Sequence, residues 1–390
     1  MIALLRRFAI ACAALALLSI LSMGAAFAGA PCMSNCNAPT PPIPVNVYSE
    51  TTPDHMSLAT IGALPRVYVP NHSSNSVSII DSTTLKQVGS FKVGFQPQHI
   101  VPSWDLKTLW VTNNASRTNK GSLTPIDPTT GMPGKSIPIS DPYNMYFMPD
   151  GSSAIVVDEA YKQLDLRDPQ TMALKSVIPT PTCHGINHAD FAADNSYAIF
   201  TCEFGGGGLI KVDLANRKVL GSLVLSKKSM PQDIRLSPDG KVFYVADMMN
   251  DGIFLIDGGT FAEIGFIATG VGAHGLVVSR DGTRLYVANR GSRKMKRASP
   301  KGPGSVSVID FATRSIVAQW PVPGGGSPDM GNVSADGKQL WLSGRFDGEV
   351  YMFDTASGAV QKVPVGAEPH GLTVWPQPGR YSQGHTGNMR

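Results

Sequence analysis

One phrase recurs about every 45 residues between Leu64 and Arg380, and it leaves the chain few architectures. Each copy is an aromatic-rich strand, a polar corner, an apolar strand ending in Asp, a Pro or Gly approach to a further strand, and a Ser-Pro-Asp-Gly-like turn. The phrase is plainest in Val242–Asp257 and Leu285–Asp310, with weaker copies at Val67–Asp81, Leu109–Asp127, Ala154–Asp165, Ala198–Asp213 and Leu340–Asp354. That makes seven units. Short strands at a fixed period, with no long helical pattern, predict radial repeats. A single four-stranded blade cannot bury its own faces, so neighbouring blades must stack around an axis. The fold class expected is all-β: a seven-bladed β-propeller of four-stranded antiparallel blades.

The repeat begins in mid-blade with the strand Arg66–Pro70 and ends with an isolated strand, Gly371–Trp375. The ring closes only if this last strand becomes the innermost strand of the first blade, which also removes open sheet edges. With strands A to D running outward from the axis, loops D–A and B–C open on one face, and loops A–B and C–D on the other. The turns Ser237–Gly240, Ser279–Gly282 and Ser334–Gly337 join A to B and so mark the second face. They are turn chemistry and carry no catalytic expectation.

Residues 1–28 read as a cleaved signal peptide: Arg6 and Arg7, an apolar run Phe8–Leu21, and the cleavage signal Ala26-Phe27-Ala28. No later stretch approaches membrane-spanning length, so a periplasmic or secreted chain is expected. Residues 29–63 form an irregular Pro/Ser/Thr-rich leader, 64–380 the propeller, and 381–390 a tail that adds His385 and is expected to fray, with folding back over one end of the channel as the alternative. Removing the two arginines of the signal peptide leaves 31 basic residues against 29 acidic ones, which gives no case for a nucleic-acid partner. Four cysteines remain. Cys183 and Cys202 flank a hairpin and are expected to form a disulfide, as an exported setting allows. Cys32 and Cys36 lie in the leader, where a local bridge and metal binding both stay open.

The segments Leu285-Tyr286-Val287-Ala288-Asn289, Trp110-Val111-Thr112-Asn113 and Tyr68-Val69-Pro70-Asn71, with the Asp-ending third strands, resemble the YVTN-family β-propeller repeat proteins. The resemblance spans Leu64 to Arg380 and implies an exported seven-bladed propeller. It implies no particular activity, because the family is functionally diverse and fold does not carry function.

Function is sought where the chain departs from its repeat. Strand A starts read Gln98-His99, Tyr143-Asn144, Asn187-His188, Gln232-Asp233, His274-Gly275, Asp329-Met330 and His370-Gly371. Innermost strands begin at the channel mouth, so His99, His188, His274 and His370 should converge there with Asp233 and Asp329. Imidazoles beside carboxylates suit a transition metal, copper most plausibly, and periplasmic copper propellers are similar in setting histidines around one face. The plain alternative is polar strand starts that hydrogen-bond across a wet channel. His72, His184, Glu203 and Asp247 flank the same face as candidate ligand or partner contacts. Arg290, Arg293 and Lys294 open an insertion, Arg290–Gly304, able to steer anions or an acidic partner, although most charge runs are solvated loops.

Three functions follow in order. The first is a binding propeller that presents its His/Asp-lined mouth to a small ligand or periplasmic protein partner. The second is a metal-dependent, copper-type oxidoreductase using the histidine ring. The weakest is a lactonase-like hydrolase, since no acid–base pair stands out.

Overall fold

The computed structural model of the chain describes residues 46–116, 118, 120–292 and 302–390; the signal peptide, Cys32, Cys36, Arg293 and Lys294 lie outside them. Seven antiparallel sheets are present, each formed by consecutive strands except at the closure. There, Thr373–Trp375 pairs with Arg66–Asn71 (Tyr68 opposite Thr373), so the last strand becomes the inner strand of the first blade. The second blade departs slightly from four strands. Its outer strand is broken into Met132–Pro133 and Ile137–Pro138, which both pair with Ser122–Asp127. Proline cannot donate to the ladder, so two prolines six residues or fewer apart interrupt an outer edge and not an inner strand.

The recurring residues act as local clasps. Asn71, Asn113 and Asn289 end second strands, and each donates its Nδ2 to two hydroxyls across the corner, for example Ser76 and Ser78 for Asn71. The Asp ending most third strands accepts turn N–H groups, as Asp257 does from Thr260 and Asp354 from Ser357, whereas the third blade uses Asp168, just past its strand end at Arg167. In the A–B turns the Ser hydroxyl donates to the Asp two residues on, while Gly240, Gly282 and Gly337 take φ between 68° and 76°.

The apolar side chains form seven clusters, one in every gap between adjacent blades, including the gap between the last blade and the first. That closure cluster packs Trp341 and Val350 against Val67, Val69 and Val374. Burial therefore runs between blades and not within them, and deleting one such aromatic should cost about 3–5 kcal/mol. The disulfide between Cys183 and Cys202 forms as expected, with Cα atoms 5.0 Å apart. Among the described residues no helix is long and apolar enough to cross a membrane.

The described residues outside the repeat, 46–63 and 381–390, are ordered on the A–B turn face. Tyr48 is buried and donates its hydroxyl hydrogen to Leu236 O, and Val47 N–H donates to Pro238 O. Residues 381–390 do not fray, contrary to expectation. They fold into a small hairpin, Ser382 bridging Met389, that enters the channel and is buried along most of its length. Its backbone bonds to inner strands: His385 N–H to Met145 O, and Phe147 N–H to Gln383 O. A polar, glycine-rich segment can be buried this way because inner-strand backbone groups facing the channel are free to satisfy it.

Candidate site in the channel

The inner strands are irregular where the polar residues fall. Register shifts occur between Pro97 and His99, Ile186 and Ala189, Pro231 and Ile234, Ala273 and Gly275, and Pro328 and Gly331. A bulge re-aims side chains. It explains how polar residues offset by one position in sequence still reach one axis. Close approach also needs glycine: a Cβ on Gly371 would lie 2.0 Å from His99 Nδ1.

The histidines form two groups joined through His99, whose ring stands 4.8 Å from that of His370. In the first, His99 stands 5.2 Å from the rings of His188 and His385, and these two are 4.7 Å apart. Asp233 lies 3.4 Å from His385 Nε2. The donor atoms of His188, Asp233 and His385 all fall within 4.8 Å of one another, so this group could hold a metal. Among the described residues, both ring nitrogens of His99 and Nε2 of His188 have no hydrogen-bond partner. His188 Nδ1 lies 3.0 Å from Asn144.

The second group is organised by Asp329. His370 Nδ1 lies 2.6 Å from one of its oxygens and Arg290 Nη2 is 2.6 Å from the other. His274 Nδ1 is 2.7 Å from Asp329, although the contact is poorly aligned for a hydrogen bond. Arg290 also donates to His274 Nε2. Arginine has no acceptor, so this bond fixes the His274 tautomer and occupies the nitrogen a metal would need. Ligand duty for His274 is thus blocked as the side chains stand, and Asp329 is already compensated.

Charge follows burial. His99 and His188 are held well below the usual imidazole range by burial and then by neighbouring imidazoles. Burial lowers His274 to about 4 and His370 to about 3. The channel imidazoles are therefore neutral at neutral pH. Burial opposes ionisation of Asp233, but Arg235 at 2.7 Å and His385 outweigh it and hold the carboxyl low. Asp329 is likewise held low by Arg290, His274 and His370 against its burial. Deeper still, Asp190 accepts from Arg390 at 2.7 Å and from Asn388 at 2.8 Å.

The rim residues spread out. His72 pairs with Glu368 at 3.2 Å. Glu203, raised by burial, accepts from Asn187 at 3.0 Å just outside the channel. Asp247 is spent on its own corner, accepting from Met230, Met249 and Asn250 N–H groups. His184 lines a separate groove with Glu159, Tyr161 and Phe204. Arg290 is no solvated loop residue but turns into the channel, its side chain only 10 % exposed. Sequence reasoning missed His385, Arg235 and Arg345. Arg235 left a signal, as a charge on an inner strand otherwise filled by Ile234 and Leu236.

No curated protein matches the chain. Solved structures share its fold at low identity. Hydrazine synthase of Kuenenia stuttgartiensis is 18 % identical with a TM-score of 0.57, covering 80 % of this chain and 97 % of the other. Dihydro-heme d1 dehydrogenase NirN gives 16 % and 0.59, covering 79 % and 75 %. A Bacteroides fragilis protein provisionally named a 6-phosphogluconolactonase gives 16 % and 0.62, covering 80 % and 98 %. At such identities the likeness concerns the fold alone. The family of YNCE-like β-propellers, by contrast, matches residues 35–378, and the chain belongs to it.

Proposed function

We propose that this chain is an exported, periplasmic or secreted binding propeller whose channel mouth receives a small ligand. The observation that carries the reading is a set of buried polar atoms without partners at one end of the channel. They are Gln98 Oε1, both His99 nitrogens, Asn187 Oδ1, His188 Nε2 and Arg345 Nη1. Each such atom costs about 1–3 kcal/mol when left unsatisfied, so a ligand bonding several of them would recover much of that cost. The opposite end is occupied by the 381–390 hairpin and by Tyr48, so the proposed approach is from the side of Gln98 and Tyr143. Calorimetry with a panel of small anions, neutral amides and divalent metals tests this on wild type and His99→Phe. Saturable binding that weakens in the variant supports it. Binding by no member, or binding indifferent to His99, refutes it.

A second reading, a metal centre, has its own support in the His188, Asp233 and His385 group. Tetrahedral zinc with bonds near 2.0–2.1 Å sets donors about 3.4 Å apart, so the group would have to contract. His385 presents a further cost: its Nδ1 accepts from Thr386 N–H at 2.5 Å, which places the ring proton on Nε2. Coordination through Nε2 requires that contact to give way. A metal bound there, with copper the best match to imidazole-rich donors, would supply redox or Lewis-acid chemistry. Elemental analysis after copper and zinc reloading decides it: near-unit stoichiometry lost in His188→Ala supports the centre, and absence of metal dismisses it. A lactonase-like hydrolase is weakest, because Asp233 and Asp329 are each paired with arginine and no channel carboxylate stands ready as a base.

A further inference from the structure

The identity of the ligand class turns on Arg345, which lies in the B–C corner of the last blade, between Gln339–Gly344 and Glu349–Asp354. Its backbone N–H donates to Ser327 O at 3.0 Å, which ties the corner down. Its guanidinium is turned inward, and Nη1 is buried without a hydrogen-bond partner. Among the described residues no carboxylate forms a salt bridge with it, whereas Arg235, Arg290 and Arg390 each hold a channel aspartate. Its charge is felt by His72, His99, Tyr143 and His370, which come from three different blades. Its B–C corner lies on the face where the inner strands of Gln98, His99, Asn187 and His188 begin, and those residues carry further buried polar atoms without partners among the described residues.

The surroundings limit what could meet that charge. Gln98 and Tyr143 are 7 % and 8 % exposed, while His99 and His188 directly beneath are at 0 %. The described side chains at the mouth are thus withdrawn from solvent. Glu368 is engaged by His72 and Ser73, and Glu203 by Asn187, so the nearby rim carboxylates already have partners. Arg290 is committed to Asp329 and His274. Among the described residues one guanidinium therefore keeps its Nη1 unspent, on the face that carries the neutral imidazoles and the carboxamides of Gln98 and Asn187. Guanidinium donors in a fork recognise small anions better than neutral ligands, and more so where water is scarce.

We infer that the ligand received at the channel mouth is a small anion of a few heavy atoms, held by Arg345 above His99. This inference rests on the small-ligand reading of the mouth and adds its chemical class. Gln98 and Tyr143 above His99 are both buried, which favours an anion of few atoms over an extended polyanion.

Azide serves as the probe, titrated calorimetrically into the metal-free full chain, with formamide as a neutral ligand of like size. Wild type should bind azide saturably, and Arg345→Gln should weaken it at least tenfold while formamide binding changes little. Because a variant at a buried charge can lose its fold, wild-type crystals soaked in bromide give an independent readout. The anomalous peak should lie within hydrogen-bonding distance of the Arg345 guanidinium. Equal azide affinity in a folded Arg345→Gln, or bromide seated only on outer surfaces, overturns the inference. Binding of formamide but not azide, lost in His99→Phe, overturns the anion class and leaves the small-ligand reading intact. Binding of neither by any route ends both.

Discussion

Replacing Arg390 by Met should destabilise the propeller through a buried ion pair that belongs to no copy of the repeat's turn chemistry. Asp190 is fully buried, and among the described residues Arg390 is its only cationic hydrogen-bond partner, at 2.7 Å. The carboxylate keeps the N–H groups of Phe191 and Leu236 at 2.8 and 2.7 Å and the Asn388 amide at 2.8 Å, but loses its compensating charge. Removing one partner of a buried pair costs about 3–5 kcal/mol. Arg390 also lies 4.9 Å from the Tyr48 ring centroid, so the leader's seat on this face should loosen with it. Urea unfolding followed by tryptophan fluorescence measures the loss. The companion substitution Asp190→Leu with Arg390→Leu should recover most of it, since the penalty comes from the stranded charge. Added salt should leave the effect intact, whereas the exposed contact between Arg380 and Glu50 should contribute almost nothing at any ionic strength. A single Arg390→Met variant within 0.5 kcal/mol of wild type, on the scale where surface changes fall, would refute the seating of the hairpin in the channel.

Other expectations are simpler to check. Loss of the Cys183–Cys202 bridge, which spans 19 residues of sequence, should lower stability by about 3 kcal/mol, read as a shift in the urea midpoint of the Cys183→Ala, Cys202→Ala variant. Acid should weaken the fold well above the carboxylate range: unfolded imidazoles take up protons near pH 6.5, whereas His274 and His370 resist to about 4 and about 3. Their contribution is complete above pH 6.5 and lost as pH falls, by about 2 kcal/mol for His274 alone between pH 7 and pH 5. A melting temperature flat over that interval would contradict the neutral, buried assignment. Trp341→Ala, which opens the closure gap between the last and first blades, should cost about 3–5 kcal/mol in the same urea assay, and an unchanged midpoint would mean that the gap bears no load.

The architecture was legible because its cues are local and repeated. Asn113 clasps its corner, Asp257 caps its turn, and Ser237 with Gly240 shapes its A–B link, each within a few residues of sequence. Closure by the last strand followed from counting. The convergence of His99 and His188 was also legible, since both sit at a fixed distance before a recognisable turn. What they do there was not, because roles depend on partners distant in sequence. Arg290 takes His274 out of play, and Asn144 touches His188 across 44 residues. His385 was missed because Ser382-Gln383-Gly384-His385-Thr386-Gly387-Asn388 has the composition of a loose end. Its order comes from free inner-strand carbonyls such as Met145 O, which no property of the segment itself announces.

A crystal structure of wild-type protein soaked with a mixture of small anions, amides and copper or zinc salts tests the central claim most directly. The account predicts density at the channel mouth in contact with His99 and Arg345. Ligand density confined to the outer grooves beside Phe95 and Lys120, or Tyr161 and Phe204, with the mouth unchanged, would contradict it.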